Sequence, residues 1–491
     1  MKVQMATTQQ QKCKAVKILG ILFAALLVCA SAAQSQMWQP LVNQPTFSAS
    51  TPILLTNGTV MVQAAESREW WILTPDSFGS YRSGTWSKAA DMPSGYGPLY
   101  YASAILPNNR LVVLGGEYNL GVQDDTNRAA IYHPANNYWV SLGHPSGWAN
   151  AGDAPSVILP DGTFMVGDCC TSQQALLDAT TLTWTSTGAS KADPNSEEGW
   201  TLLPNGKVLT VDTQNGTESE LYNPSSETWS LAGDTVSALP NPCGGNVAEL
   251  GPALLRPNGT VFATGGNNHT AIYNYKTGTW TAGPSFPKGF GIMDGPGALL
   301  ITGNVLVGAA PTSATHCYGT GVKYYEFNGK TLTSVPGPPN APTDKTYYGR
   351  MLDLPSGHVL FTDGSNDVEI YTPAGSANSA WEPKITSVPS TITRNDSYTI
   401  KGTQFNGLSQ GAAYGDDAQM ATNYPLVRVT NNKTGHVFYA RTDNFSSMGV
   451  ATGSAIVSCT FVVPTSAETG ASKLVVVANG ISSPSVNVTI K

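Results

Sequence analysis

Carboxylate side chains that recur in one register of an internal repeat are the residues best suited to chemistry in this 491-residue sequence. Asp153, Glu197 and Asp294 each stand nine residues before a tight-turn residue of the repeat. Other polar and aromatic residues lie in or close to the same register: Tyr100, Glu198, Trp200, Glu249, Tyr347, Tyr348 and Arg350. Carboxylates gathered at one site could bind Ca²⁺, hydrogen-bond a sugar, or act as the acid–base pair of glycan cleavage.

The sugar-binding interpretation also gives a part to the aromatic residues. Trp200 and Tyr348 would offer flat faces on which a sugar ring can stack. The alternative is structural, since buried polar groups need partners: the acids would then cap loop amides and hydrogen-bond across neighbouring sheets. Both interpretations stay open at this point.

The repeat that sets this register has a period of about fifty residues. A tight turn followed by a β-rich run recurs seven times, with successive turn residues 44 to 54 positions apart. The turn residues are Gly58, Asn109, Gly162, Gly206, Gly259, Gly303 and Gly357. Asn-Gly and Asp-Gly at such turns are typical of hairpins whose backbone needs a positive φ.

Each repeat is predicted to end with a strand that carries a tryptophan in six of seven cases: Trp86, Trp139, Trp184, Trp229, Trp280 and Trp381, with Leu332 in the remaining one. A four-stranded sheet cannot bury both faces alone, so successive sheets must stack with these aromatic rings between them. The period and the seven copies predict an all-β fold, a seven-bladed kelch-type β-propeller over residues 38–382.

A different pattern begins at residue 383. Short alternating segments such as SYTIKG, PLVRVTN and KLVVVANG follow one another to the C-terminus, and no tryptophan occurs after Trp381. Several short strands at this spacing predict a small immunoglobulin-like β-sandwich over residues 383–491.

The first 32 residues have the pattern of a secretory signal peptide. Lys2, Lys12, Lys14 and Lys17 precede an apolar run over residues 18–30, and small residues follow at the expected cleavage point. Such a run is too short for a comfortable membrane span. We therefore expect a secreted, extracellular or periplasmic protein, monomeric and without a membrane span in its mature form.

Charge and cysteine content bear on the expected partners and on disulfide bonding. Only 12% of the residues are charged, with 26 Lys and Arg against 33 Asp and Glu, so nucleic acid is not an expected partner. Five cysteines follow the predicted leader: Cys169, Cys170, Cys243, Cys317 and Cys459. Export permits disulfides, but the sequence does not choose among the pairings.

The repeat count, the leader and the PKIT start of the C-terminal segment together resemble the galactose oxidase and glyoxal oxidase family. The resemblance implies one copper ion on the propeller axis, held by two tyrosines and two histidines, with a tyrosine–cysteine thioether radical. It also implies oxidation of alcohols or aldehydes by O₂ with release of hydrogen peroxide.

Residue by residue, the resemblance covers only part of that site. Tyr100 matches the radical tyrosine and Tyr347 matches the axial tyrosine, but Ala49 stands where the cysteine is expected. Tyr348 and Gln419 stand near the two histidine positions. Since imidazole and thiolate suit copper far better than phenol and carboxamide, no cofactor is expected.

The sequence therefore predicts a galactose oxidase-like protein without the copper ligands, acting as a carbohydrate- or surface-binding module. Its expected partner is a glycan or a cell-surface polymer. One alternative is a working copper-radical oxidase that produces hydrogen peroxide. Another is a glycan-active enzyme that uses the carboxylates on the axis.

Overall fold

The computed structural model describes residues 37–242, 248–313, 317–416 and 420–491. The predicted signal peptide, Cys243 and Gln419 lie outside these ranges. The described chain is all-β, with 43 strands and two 3-10 helices, Thr346–Tyr348 and Ser379–Trp381. No described helix is long and apolar enough to cross a bilayer.

Most strands form antiparallel sheets of consecutive segments. β1 (Trp38–Pro40) begins the described chain. The first sheet holds β2 (Ala49–Leu54), β3 (Val60–Ala64), β4 (Trp70–Thr74) and β5 (Thr85–Lys88). A small sheet holds β6 (Pro98–Leu99), β9 (Tyr118–Asn119) and β10 (Val122–Gln123), next to the second sheet of β7 (Ala102–Ile105), β8 (Leu111–Leu114), β11 (Ala129–His133) and β12 (Tyr138–Leu142).

The third sheet holds β13 (Ser156–Ile158), β14 (Phe164–Gly167), β15 (Gln174–Leu177) and β16 (Trp184–Thr187). The fourth holds β17 (Thr201–Leu202), β18 (Val208–Val211), β19 (Ser219–Asn223) and β20 (Thr228–Leu231). The fifth holds β21 (Asn241–Pro242), β22 (Ala248–Leu255), β23 (Thr260–Gly265), β24 (Thr270–Asn274) and β25 (Thr279–Ala282).

The sixth sheet holds β26 (Phe290–Gly291), β27 (Gly297–Leu299), β28 (Val305–Pro311), β29 (Lys323–Phe327) and β30 (Leu332–Val335). The last sheet holds β31 (Arg350–Asp353), β32 (Val359–Thr362), β33 (Glu369–Tyr371) and the N-terminal strand β1. The first strands of successive sheets contact one another from β7 through β13, β17, β22 and β27 to β31, and β31 contacts β2. This arrangement is consistent with a β-propeller.

The predicted turn chemistry is confirmed at every copy of the repeat. The seven turn residues have φ between 67° and 93°, and six of them are glycines. Glycine adopts this left-handed region without steric cost, and asparagine tolerates it better than most residues do. The turns therefore fix where the first strand of each sheet ends and the second begins.

The predicted outer tryptophans bridge neighbouring sheets through their indole N–H groups. Trp139 donates to the Ala90 carbonyl beyond the first sheet at 3.1 Å, and Trp280 donates to the Ser219 hydroxyl of the fourth sheet at 2.8 Å. The same pattern joins Trp86 to Asn43, Trp184 to Gly143 and Trp229 to Gln174. These residues pack and orient the sheets, as their spacing predicted.

Trp381 is the exception, and its predicted place in a closing strand is wrong. It lies in the second 3-10 helix, whereas β1 supplies the outer strand of the last sheet by pairing with β33. Trp38 of β1 takes the expected role there: its ring centroid lies 4.8 Å from that of Tyr371, and its indole N–H donates to Pro336 at 2.6 Å. Pairing of the first strand with the last sheet joins the two ends of the ring.

The C-terminal part forms a nine-stranded sheet. Its strands are β34 (Lys384–Ser387), β35 (Thr391–Ile392), β36 (Ser397–Thr403), β38 (Leu426–Asn431), β39 (Val437–Asp443), β40 (Val457–Val462), β41 (Gly470–Ala478), β42 (Ile481–Ser482) and β43 (Val486–Ile490). The remaining strand, β37 (Ala412–Ala413), leaves this sheet and pairs with β27 of the sixth sheet. This pairing carries the next few residues of the C-terminal part into the centre of the ring.

The described cysteines settle part of the open pairing. Cys169 and Cys170 are bonded to each other, and Cys317 is also in a disulfide. Cys459 is free and buried, and burial raises the pKa of its thiol. A buried thiol of this kind is a packing residue rather than a reactive one.

Candidate functional site

A cavity of about 440 Å³ opens at the end of the ring where the first strands begin. This volume falls in the range of about 300–1,000 Å³ that is common for small-molecule sites. The side chains that line it are Glu66, Leu99, Tyr100, Glu117, Tyr118, Asp153, Asp294, Tyr318, Tyr347, Tyr348 and Asp416. Its wall thus consists almost entirely of tyrosines and carboxylates, and we call it the axial cavity.

The structure brings eight of the ten predicted site residues to this region. Five of them line the cavity: Tyr100, Asp153, Asp294, Tyr347 and Tyr348. Glu197 and Glu249 lie against the lining carboxylates, and Arg350 lies behind the tyrosine rings. In six of the seven repeats the register nine residues before the turn falls at the start of the first strand or within four residues before it.

Two predicted residues lie elsewhere. Trp200 is buried, with its ring centroid 5.6 Å from that of Trp229, so it offers no face to the cavity. Glu198 is buried in the fourth sheet, where its carboxylate lies 2.9 Å from the Lys191 ammonium and accepts a 3.1 Å bond from Thr210. Glu197 lies in a turn with a φ of 58°, and the next residue, Glu198, is directed to the buried Lys191 instead of the cavity.

Six lining residues were not predicted. Glu66 and Glu117 each stand eight residues after a turn residue, Gly58 and Asn109, so a second register beyond the turn would have found them. The others are Leu99 and Tyr118 in strands β6 and β9 of the small sheet, Tyr318 in a loop, and Asp416 in the loop that follows β37. The lengths of such loops differ between repeats, and no fixed offset locates them.

The backbone of the ring is unusual at three of the predicted positions. Tyr100, Glu197 and Asp294 have φ values of 53°, 58° and 43°. Residues other than glycine seldom adopt this left-handed region, because Cβ crowds the backbone. All three immediately precede or approach a first strand, so the turn in the chain aims their side chains at the axis.

Two groups of three carboxylates share Glu197 at the floor of the cavity. Glu197 meets Asp153 and Asp416 in one group and Glu249 and Asp294 in the other. Within each group, one oxygen of every residue lies within 4.8 Å of the others. Burial first, and then the charges of these four neighbours, raise the pKa of Glu197 well above its usual range. Like charges this close cannot all stay ionised without a cation or protons.

Glu249 has one oxygen in use and one without a donor. Its Oε1 accepts a hydrogen bond from the Tyr318 hydroxyl. Its Oε2 accepts no hydrogen bond from any described group. Solvent cannot readily replace such a donor, because Glu249 is only 6% exposed. Burial and the Glu249 charge together raise the pKa of Tyr318, so that this phenol remains a donor.

Arg350 supports the aromatic wall from behind. Its guanidinium carbon lies 3.9 Å from the ring centroid of Tyr414 and 5.1 Å from that of Tyr100. Its Nη1 donates to the carbonyls of Tyr347 and Gly349 at 2.7 and 3.0 Å. Arg350 therefore positions Tyr100 and Tyr347 without lining the cavity itself.

The segment after β37 completes the site from the C-terminal part. The Tyr414 hydroxyl donates to the Tyr347 carbonyl at 2.9 Å, and Asp416 lines the cavity. Gly415 between them passes so close to the ring that a Cβ on it would lie 2.4 Å from Asp294 Oδ1. Only glycine allows this approach, so the site depends on both parts of the chain.

The fold is similar to that of a copper alcohol oxidase. A fungal alcohol oxidase of the AA5 family, solved in complex with copper, aligns over 92% of this chain and 99% of its own, with a TM-score of 0.53 and 12% identity. Virginiamycin B lyase from Staphylococcus aureus, solved with quinupristin, aligns over 69% of this chain with a TM-score of 0.49 and 10% identity. No protein-family model and no curated protein sequence matches the chain. At such identities the likeness shows the fold alone.

The described donors do not fit the copper centre that this fold family carries. Among the described residues, no histidine and no cysteine lines the axial cavity. Ala49 is buried at the start of β2 and offers no sulfur to Tyr100. The phenol and carboxylate oxygens that are present suit hard cations and hydrogen-bond donors rather than Cu(II) with a thioether radical.

Proposed function

We propose that this protein is an exported binding protein that takes a polyhydroxylated ligand, a glycan or cell-surface polymer, into the axial cavity. In this proposal the sheets form a seven-bladed kelch-type propeller, and the C-terminal part is an immunoglobulin-like domain that completes the site. The protein acts as a monomer and lacks the copper ligands of the galactose oxidase family. The observation that carries the proposal is the composition of the cavity wall.

Tyrosine rings and carboxylates are complementary to a sugar in different ways. The apolar C–H face of a pyranose packs on an aromatic ring, while its hydroxyls donate to carboxylate oxygens. Tyr348 is the most accessible ring of the wall at 40% exposed, and Asp153 and Asp294 stand on the same wall. This combination supports binding of a sugar at the cavity mouth.

Catalysis is less well supported by the same geometry. A glycosidase needs one protonated and one ionised carboxyl on either side of the scissile bond. Glu197, whose raised pKa suits the acid, is not among the side chains that line the cavity, and its neighbours crowd it. A glycosidic oxygen in the cavity would therefore not reach it directly.

A glycan array probed with the secreted, full-length protein tests the binding proposal, followed by calorimetry on the best ligand. Tyr348→Ala should weaken binding about tenfold, which corresponds to about 1.4 kcal/mol. Tyr138→Ala is the matched control, because Tyr138 is 41% exposed on the outer strand β12. Absence of any glycan ligand, or equal effects of the two variants, would refute the proposal.

Export has its own test. Mass spectrometry of the protein secreted by a producing cell should find a mature N-terminus near Ala33 or Gln34. This result follows from cleavage after the small residues at positions 30–32. An intact Met1 on membrane-bound protein would show that the leader is an anchor instead.

A further inference from the structure

We infer that the recognition group of the ligand is a cation, and that the preferred glycan is one with free amino groups, such as a glucosamine oligomer. This inference rests on the proposed function, since it names the class of sugar that the axial cavity takes. Three observations support it: the charge of the cavity wall, the angles between its tyrosine rings, and the buried Oε2 atom of Glu249, which has no hydrogen-bond donor among the described residues.

The charged side chains on the wall all carry the same sign. Five carboxyl groups line the cavity: those of Glu66, Glu117, Asp153, Asp294 and Asp416. No lysine or arginine is among the described residues that line it. A cleft with walls of one sign concentrates counter-ions and raises their rate of association, so the wall favours a cationic ligand over a neutral one.

Two cationic side chains contact tyrosines of the cavity wall. Lys345 Nζ lies 3.2 Å from the Tyr347 hydroxyl and 5.4 Å from the centroid of the same ring. Arg350 lies behind the Tyr100 ring and donates to backbone carbonyls. Neither side chain lines the cavity.

The tyrosine rings that line the cavity stand at steep angles to one another and are not stacked in parallel. Tyr347 lies edge-on to Tyr318 at 86° and to Tyr348 at 78°, with ring centroids 5.2 and 4.8 Å apart. Tyr100 is inclined to Tyr118 by 64° and to Tyr347 by 71°. Rings set at steep angles around a space can present several faces to one ammonium group, the arrangement that binds organic cations through cation–π attraction.

Glu249 independently indicates that the ligand brings a hydrogen-bond donor. Its Oε2 has no hydrogen-bond donor among the described residues, although more than nine-tenths of the side chain is buried. Leaving a buried carboxylate oxygen without a donor is costly, and native structures seldom do it. Glu249 lies against Glu197 and against Asp294, and Asp294 lines the cavity, so an ammonium with three N–H groups could donate to this cluster.

A hydrated metal ion would explain fewer of the residues that line the cavity than an ammonium ligand does. The two groups of three carboxylates at the floor could surround such an ion, but Glu66 and Glu117 belong to neither group. A Ca²⁺ ion also needs oxygen ligands and gains little from the faces of aromatic rings. Ammonium groups repeated along a sugar chain would use both the acids spread over the wall and the tyrosines between them.

The test compares two oligosaccharides that differ only in N-acetylation. Calorimetry at pH 5 on the full-length, EDTA-treated protein should show that a β-1,4 glucosamine tetramer binds at least tenfold more tightly than the N-acetylglucosamine tetramer. The difference should shrink as salt is added, since screening weakens charge attraction. Glu117→Gln should narrow the difference severalfold, whereas Asp234→Asn, a change of an exposed acid outside the cavity, should leave it unchanged.

The outcomes separate this inference from the proposed function. Equal affinity for the two tetramers would overturn the inference and leave glycan binding intact. Binding of the neutral tetramer that appears only when Ca²⁺ is added would overturn it in favour of a metal site. If neither tetramer nor any other glycan binds, the proposed function and the inference both fail.

Discussion

Asp353 offers a quantitative test of the junction between the ring and the C-terminal part. It lies in β31 and is buried, and neither carboxyl oxygen has a hydrogen-bond partner among the described residues. Gly411 faces it so closely that a Cβ there would lie 2.6 Å from Oδ2. Burial raises the pKa of Asp353 from 3.8 to about 8. A carboxyl in such a place is protonated in the folded protein at neutral pH.

The sign of the effect follows from proton counting. Between about pH 5 and pH 7 the folded state holds a proton on Asp353 that the unfolded state has lost, so the free energy of unfolding falls as the pH rises. The contribution is present in full below the unfolded pKa and is lost progressively up to the folded pKa of about 8. Its slope is about 1.4 kcal/mol per pH unit, or about 3 kcal/mol between pH 5 and pH 7.

Asp353→Asn removes this titration while it keeps the shape of the side chain. Urea unfolding of both proteins at pH 5, 6 and 7 should therefore show the variant gaining about 3 kcal/mol relative to wild type across the series. Asp234→Asn, which changes an exposed carboxyl, should show no such trend. A stability difference between Asp353→Asn and wild type that stays constant with pH would refute the reasoning, because it would mean that Asp353 is not protonated by folding.

Three further results are expected. Gly415→Ala should weaken ligand binding at least tenfold by pushing the C-terminal segment away from Asp294, measured by calorimetry on protein that still unfolds cooperatively. Lys191→Met should destabilise the protein by about 3–5 kcal/mol in urea unfolding, because it leaves the buried carboxylates of Glu198 and Glu220 without their cation. Adding Glu198→Gln and Glu220→Gln should restore most of the lost stability, and no recovery would argue against a charge effect. Protein incubated with Cu(II) should release no peroxide from galactose, glyoxal or simple primary alcohols, and stoichiometric copper with peroxide release would favour the oxidase.

The sheets of the ring could be predicted because their signals are local. A turn such as that at Gly206 specifies its own backbone, and the tryptophan of the same sheet, Trp229, follows in the next hairpin. The closing strand could not be found in this way. Pairing of β1 with β33 joins residues more than 300 positions apart, and the tryptophan spacing that worked elsewhere led to Trp381 instead of Trp38.

The residues of the candidate site likewise fall into those predicted from local signals and those that depend on long-range pairing. Tyr100, Asp153, Asp294 and Tyr348 follow from the repeat, because each stands two or three residues before a first strand. Asp416 does not, since only the pairing of β37 with β27 brings its segment to the axis. Glu198 shows the limit of the register itself, because this residue next to a register position pairs with the buried Lys191 instead of joining the site.

The ring fixes where side chains meet, and the residue types decide what they do there. The resemblance to the galactose oxidase family implies a copper ion on the axis, for which imidazole is a suitable donor. Here the described donors at the axis are phenols and carboxylates, which exchange protons and attract cations but do not hold copper in a redox site. The function that we propose for the axial cavity, binding in place of oxidation, is therefore argued from these donors and not from the fold. The acidic, tyrosine-lined wall is thus the feature on which any functional assignment of this chain has to rest.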